Sequence, residues 1–172
     1  MKRILLSMAA LGSGGFWIEA QADDAPAFEH VRECGDPRTE SMFWRSVTGT
    51  VVEIVDGDSI VVLTDDDARK RVDLVAVDAS AAEESGRSRL ARRLLNQTVN
   101  VSVNPHDVAR DSLAVVVHAH GKDVNREMLE AGEARFREPA AYTVSDYVAC
   151  TYRIVETSAR DARRGLWRRA SR

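Results

Sequence analysis

Thr48-Gly49-Thr50-Val51-Val52-Glu53-Ile54-Val55, then Asp56-Gly57-Asp58, then Ser59-Ile60-Val61-Val62-Leu63, is the stretch whose reading decides the fold class. Both flanking runs are rich in β-branched residues, which suit a pleated surface better than a helix. The Asp-Gly-Asp triplet between them is a turn signal, so the stretch predicts two tightly joined strands. Working outward, Asp65-Asp66-Asp67 predicts a charged turn and Arg71 to Val77 a third strand. Glu83 to Leu95 then changes to helical spacing, with Leu90, Ala91, Leu94 and Leu95 on one face. Val99 to Val103 alternates as a half-buried strand does, and Leu113 to Val117 is a more continuously apolar strand. Gly121-Lys122 leads into a helix carrying Val124, Met128 and Leu129, which Gly132 can end. A last helix places Tyr147, Val148, Thr151, Ile154, Val155 and Ser158 at i, i+3, i+4 spacing and runs to Arg164. The order βββαββαα predicts one α+β domain, without internal repeats.

Toward the N-terminus, Lys2-Arg3 precedes a mostly apolar run from Ile4 to Ile18, and Ala20-Gln21-Ala22 closes it. That pattern predicts a secretory signal over residues 1–22, the run being short for a membrane span of about 20 residues. Residues 23–47 have no clear period and read as an extension, leaving a domain at 48–167 and a basic tail at 168–172. Removing Lys2, Arg3 and Glu19 with the signal leaves 22 basic and 26 acidic residues, a net charge of −4. Binding to nucleic acid draws on phosphate neutralisation, so this balance disfavours such a partner without excluding a local basic groove. Export and an even cysteine count predict a Cys34–Cys150 disulfide. It would close a loop of more than 100 residues. In the chain-entropy account that is worth about 4–5 kcal/mol. The expected destination is periplasmic or extracellular, with no membrane span in the mature form.

Four blocks together resemble the staphylococcal nuclease-like family. They are Val55-Asp56-Gly57-Asp58-Ser59, the strand ending in Val77-Asp78-Ala79, Val124 through Ala134, and Gly165-Leu166-Trp167. Their order and spacing agree over about 120 of the 172 residues. The resemblance implies a five-stranded OB-type β-barrel with three helices, in keeping with the strand number of that fold. It also implies calcium-dependent phosphodiester cleavage, with a glutamate activating water and two arginines gripping phosphate.

Carried over residue by residue, the resemblance makes Asp58 and Asp78 ligands for Ca2+, and lets Ala79 offer its carbonyl. The other positions depart from it. Where the family has its glutamate this chain has Ala81, which cannot take a proton, and the two arginine positions are Asp73 and Asp111. At about 4 Å and an effective dielectric near 20, a unit charge pair is worth about 4 kcal/mol. Two cation-to-anion swaps therefore turn attraction for phosphate into repulsion twice. Possible substitutes are Arg71, on the same strand face as Asp73, together with Arg110, Glu83, Glu84 and Arg87. Alternatively, Asp58, Asp73, Asp78 and Asp111 form an all-carboxylate cluster for a divalent cation, or the site has simply decayed. His118 and His120 fall short of a metal site by themselves, and Trp167 reads as a core plug.

The reading that results is an exported family member that is non-catalytic or barely catalytic and retains a divalent-metal site. Two alternatives stay open: a calcium-dependent nuclease acting on DNA or RNA through a rearranged site, and a protein-interaction module using the barrel groove.

Overall fold

A computed structural model describes residues 32–35, 45–103, 112–139 and 143–168. The expected signal over residues 1–22, most of the expected extension, Arg110, Asp111 and nearly all of the basic tail lie outside the described residues. Strand β1 (Arg45–Ile54) starts three residues before the predicted Thr48 and is long enough to serve two neighbours. Its first half pairs with β5 (Thr98–Val103) and its second half with β2 (Ser59–Thr64), both antiparallel. The register slips between Val51 and Glu53, and such a bulge sharpens the twist of a strand.

β2 pairs with β3 (Arg69–Leu74), and β5 with β6 (Ser112–Ala119). A parallel pairing of β3 with β6 then joins the two flanks of the sheet, which curls into the OB-like α+β architecture. The third strand ends at Leu74 rather than Val77. Its expected last residues belong to a separate two-residue strand, β4 (Val77–Asp78), paired with β8 (Arg135–Phe136). A short β7 (Lys122–Asp123) completes the edge beside β6. Pieces this short carry no periodicity to read.

The core sits inside the curl. Val51, Ile60, Val62, Val72, Leu74, Val99, Val101, Val115 and Val117 are all buried there. Helix α1 (Glu83–Leu94) closes one side with Leu90, Leu94 and Gly86, whereas Leu95 follows the helix and is exposed. Helix α2 (Val124–Glu130) contributes Val124, Met128 and Leu129. Helix α3 (Asp146–Asp161) buries Ala149, Thr151, Tyr152, Val155 and Ala159, while Ile154 and Ser158 are only half-buried. Cys34, in a 3-10 turn (Arg32–Cys34), is disulfide-bonded to Cys150 on α3. Among the described residues no helix is long and apolar enough to cross a membrane.

Gly132 and Gly165 explain two of the blocks that carry the resemblance. Both have positive φ, and a Cβ on either would strike the other's backbone or its neighbour's. The Leu166 amide donates to the Gly132 carbonyl at 2.8 Å, so the end of α2 is fastened to the C-terminal 3-10 turn (Gly165–Trp167). Trp167 is not a core plug. Its half-buried ring meets the guanidiniums of Arg160 and Arg135, whose central carbons are 4.5 and 5.5 Å from its centroid.

Candidate functional site

The Asp56-Gly57-Asp58 turn links β1 to β2 and is fixed by its own backbone. The amides of Val55 and Asp56 both donate to the Ser59 carbonyl, at 2.9 and 3.3 Å, and Asp56 Oδ1 accepts from the Asp58 amide at 3.0 Å. Gly57 is required here for space rather than for an unusual φ. A Cβ on it would stand 2.7 Å from the Ala79 side chain and 3.1 Å from the Glu83 carbonyl. This close approach seats the turn against the start of α1 and opens a cleft of about 170 Å3 lined by Asp56, Gly57, Asp58, Ala79, Ser80 and Glu83.

Each carboxylate has a different environment. Asp58 is half-buried, and burial together with repulsion from Asp56 raises its pKa, although its Oδ2 accepts from the Ala79 amide at 3.0 Å. Its Oδ1 accepts a long 3.4 Å hydrogen bond from the Ser59 hydroxyl. Asp78, at the end of β4, has its pKa lowered by the Ser80 hydroxyl and amide, the amide donating to Oδ1 at 3.0 Å. Asp56 works against partial burial, yet bonds from the Asp58 amide and Ser59, with the Arg71 charge, hold it below the ordinary value. One oxygen each on Asp58 and Asp78 is thus without a close backbone donor. Asp78 is not among the described residues that line the cleft, and the Ala79 carbonyl already accepts from the Ala82 amide at 2.8 Å. Carboxylate oxygens of this kind are the donors a hard cation takes, with water for its remaining ligands.

Asp73 sits next to Asp58 across the Ser59 hydroxyl, which reaches both carboxylates. It lies opposite Ser59 in the β2–β3 register, and Ser59, buried at 2 % exposure, donates to Asp73 Oδ1 at 2.7 Å. Arg71, two residues earlier on the same face, donates from Nε to the same oxygen at 3.1 Å. Its Nη2 reaches Ser59 Oγ at 3.1 Å and Asp56 Oδ2 at 3.3 Å. Two carboxylates therefore hold this guanidinium, and they push its pKa up. Among the described residues no three acidic, histidine or cysteine side chains gather closely enough to hold a metal by themselves.

Ala81 is exposed in the 3-10 turn Ser80–Ala82. Glu83, the first residue of α1, lines the cleft, whereas Glu84 does not. His120 turns away to Arg93, whose Nη1 is 3.1 Å from its Nδ1. Sequence reasoning missed Arg137. Its amide donates to the Ala76 carbonyl at 3.0 Å beyond the β4–β8 pair, and its charge lowers the pKa of both Asp58 and Asp78. Nothing in the sequence signals it, because β8 reaches β4 only through the tertiary fold.

No curated protein compared with the chain matches it significantly. A family model described as Staphylococcal nuclease homologue matches residues 65–169. That range starts after the Asp56–Asp58 turn, so the role of Asp58 rests on the resemblance and on the geometry above. With most of its length matched and the curled sheet and three helices in place, this chain belongs to the staphylococcal nuclease homologue family.

Proposed function

We propose that this is an exported, disulfide-stapled member of the family that holds a divalent cation at Asp58 and Asp78 and does not hydrolyse phosphodiesters at an appreciable rate. The observation that supports this reading is the fate of Arg71. It is the arginine nearest the family's first arginine position, and both Asp73 and Asp56 draw on its charge. A phosphate entering the cleft meets Asp56, Asp58 and Glu83 on the walls, and Ala81 offers no base. Losing a single transition-state donor typically costs a factor of about 10²–10³, and here two positions have changed sign.

Asp58 and Asp78 would hold the cation through the oxygens that accept no backbone amide, with water as the remaining ligands. When bound, a divalent ion would offset the repulsion between Asp56 and Asp58 and stabilise the turn. Millimolar calcium is therefore expected to raise the melting temperature of the purified protein and to give a calorimetric signal that Asp58→Ala removes. Absence of both responses would refute the cation site.

A second reading draws on Glu83, which lines the cleft beside Asp58 in position to serve as a relocated base. Incubation with single-stranded DNA and calcium separates the two. Intact DNA after prolonged incubation supports the first reading. Chelator-sensitive cleavage that disappears in both Asp58→Ala and Glu83→Gln establishes the second.

A further inference from the structure

A groove of about 560 Å3 between α1 and α2 shares no residue with the carboxylate cleft. Arg89, Arg92 and Arg93 line one wall, at helical spacing that puts all three on one face of α1. Glu127, Glu130 and Arg164 line the rest.

The four arginines are not equivalent. Arg93 is locked in place. Its Nε donates to Glu127 Oε2 at 3.0 Å, and its Nη2 donates to the Ala119 carbonyl at 3.0 Å. Arg164 reaches back to the Glu130 carbonyl at 3.4 Å. Arg89 and Arg92, in contrast, have no hydrogen-bond or ion-pair partner among the described residues, and Arg89 is half-buried. Partly desolvating a charge without pairing it is unfavourable unless a ligand completes the site.

Arginines near a helix C-terminus also serve the helix dipole, so the charge balance decides. Four guanidiniums face two carboxylates and the ends of two helices, each worth about half a negative charge. An excess of roughly one positive charge remains, in a chain whose net charge is −3. Among the described residues the lining carries no apolar or aromatic side chain apart from Ala131, so none of them would stack a base or anchor a peptide side chain. What the groove does present is guanidinium forks, whose planar donors match the oxygens of a phosphate.

We propose that Arg89 and Arg92, backed by the fixed Arg93, form a binding site for the phosphate groups of a polyanion, separate from the family's catalytic cleft. Recognition there runs through anionic oxygens alone. The ligand is a free oligophosphate or the backbone of a nucleic acid.

The test is calorimetric titration of the purified protein, at low salt and without divalent ions, using inorganic tripolyphosphate and a thymidine hexanucleotide as probes. Arg89→Gln/Arg92→Gln is compared with Arg69→Gln/Arg153→Gln, which removes the same charge from exposed ion pairs outside the groove. The groove variant is expected to bind tripolyphosphate at least about tenfold more weakly than wild type. The control should stay within about twofold of wild type, since exposed pairs contribute little. Tighter binding of the hexanucleotide, with a salt dependence that falls by about 1.4 in log–log slope in the groove variant, identifies a nucleic-acid backbone. Tighter binding of tripolyphosphate identifies a free oligophosphate. Equal losses in the two variants, or no binding heat from wild type at millimolar probe, overturn the proposal.

Discussion

At Asp58 a half-buried carboxylate is held beside another carboxylate and near the walls of a narrow cleft. Burial raises its pKa above the unfolded 3.8, so the neutral form is favoured in the fold. Its contribution to stability is therefore full below that unfolded value and is lost as pH rises through the folded one. Asp78 has the opposite sign. Its lowered pKa contributes stability above the unfolded value, and that stability is lost as pH falls through the folded one. Asp58→Asn keeps an acceptor for the Ala79 amide and removes the charge. At pH 7 without divalent ions it should raise the melting temperature by about 2–5 °C, with the gain vanishing in acid. A melting temperature lowered or unchanged at pH 7 would contradict the electrostatic account of this turn. The residue types at this turn are legible in the sequence. What each is bonded to is not, because Ser59 finds Asp73, and Arg71 finds Asp56, only through the β2–β3 register.

Among the elements, α2 depends on two polar side chains in its first turn. Asn125 is fully buried, accepts from the Val117 amide at 3.0 Å, and donates to the carbonyls of Val75 and Val115 at 3.0 and 2.9 Å. It thus ties the helix to β6 and to the chain just after β3. Asn125→Ala removes the side-chain partner of the Val117 amide and the Val75 carbonyl in the interior, while the Val115 carbonyl keeps the Val75 amide at 2.9 Å, and should cost about 2–4 kcal/mol in chemical denaturation, with an unchanged m-value. Asp123 caps the same helix by accepting from the Arg126 amide at 3.0 Å, and the buried Tyr152 hydroxyl donates to both of its oxygens. Tyr152→Phe should therefore destabilise the junction of α2 and α3 by about 1–2 kcal/mol in the same assay. The helices themselves were readable from apolar spacing. The inward face of α3 differs from the expected one by part of a turn, since it includes Ala149, Tyr152 and Ala159, and the Tyr152 hydroxyl meets Asp123 only through the tertiary fold.

Across the whole molecule, the Cys34–Cys150 bridge spans 116 residues and ties the N-terminal turn to α3. Reducing it should lower stability by about 4–5 kcal/mol in the chain-entropy account. Urea melts with and without reductant, compared with a Cys34→Ala/Cys150→Ala variant, check this directly. The charge distribution separates two faces, an acidic cleft at the β1–β2 turn and an arginine groove between α1 and α2. The sequence by itself determined the α+β class, the order of the five principal strands and three helices, and the family blocks. Those follow from local periodicity and turn chemistry, which neighbouring residues encode. Only the tertiary structure decided that Asp73 pairs with Ser59 and Arg71, that Arg137 approaches Asp58 and Asp78, and that Arg89 and Arg92 have no partner among the described residues. Each of these depends on which elements lie side by side, and electrostatic interactions act across that separation, not along the chain.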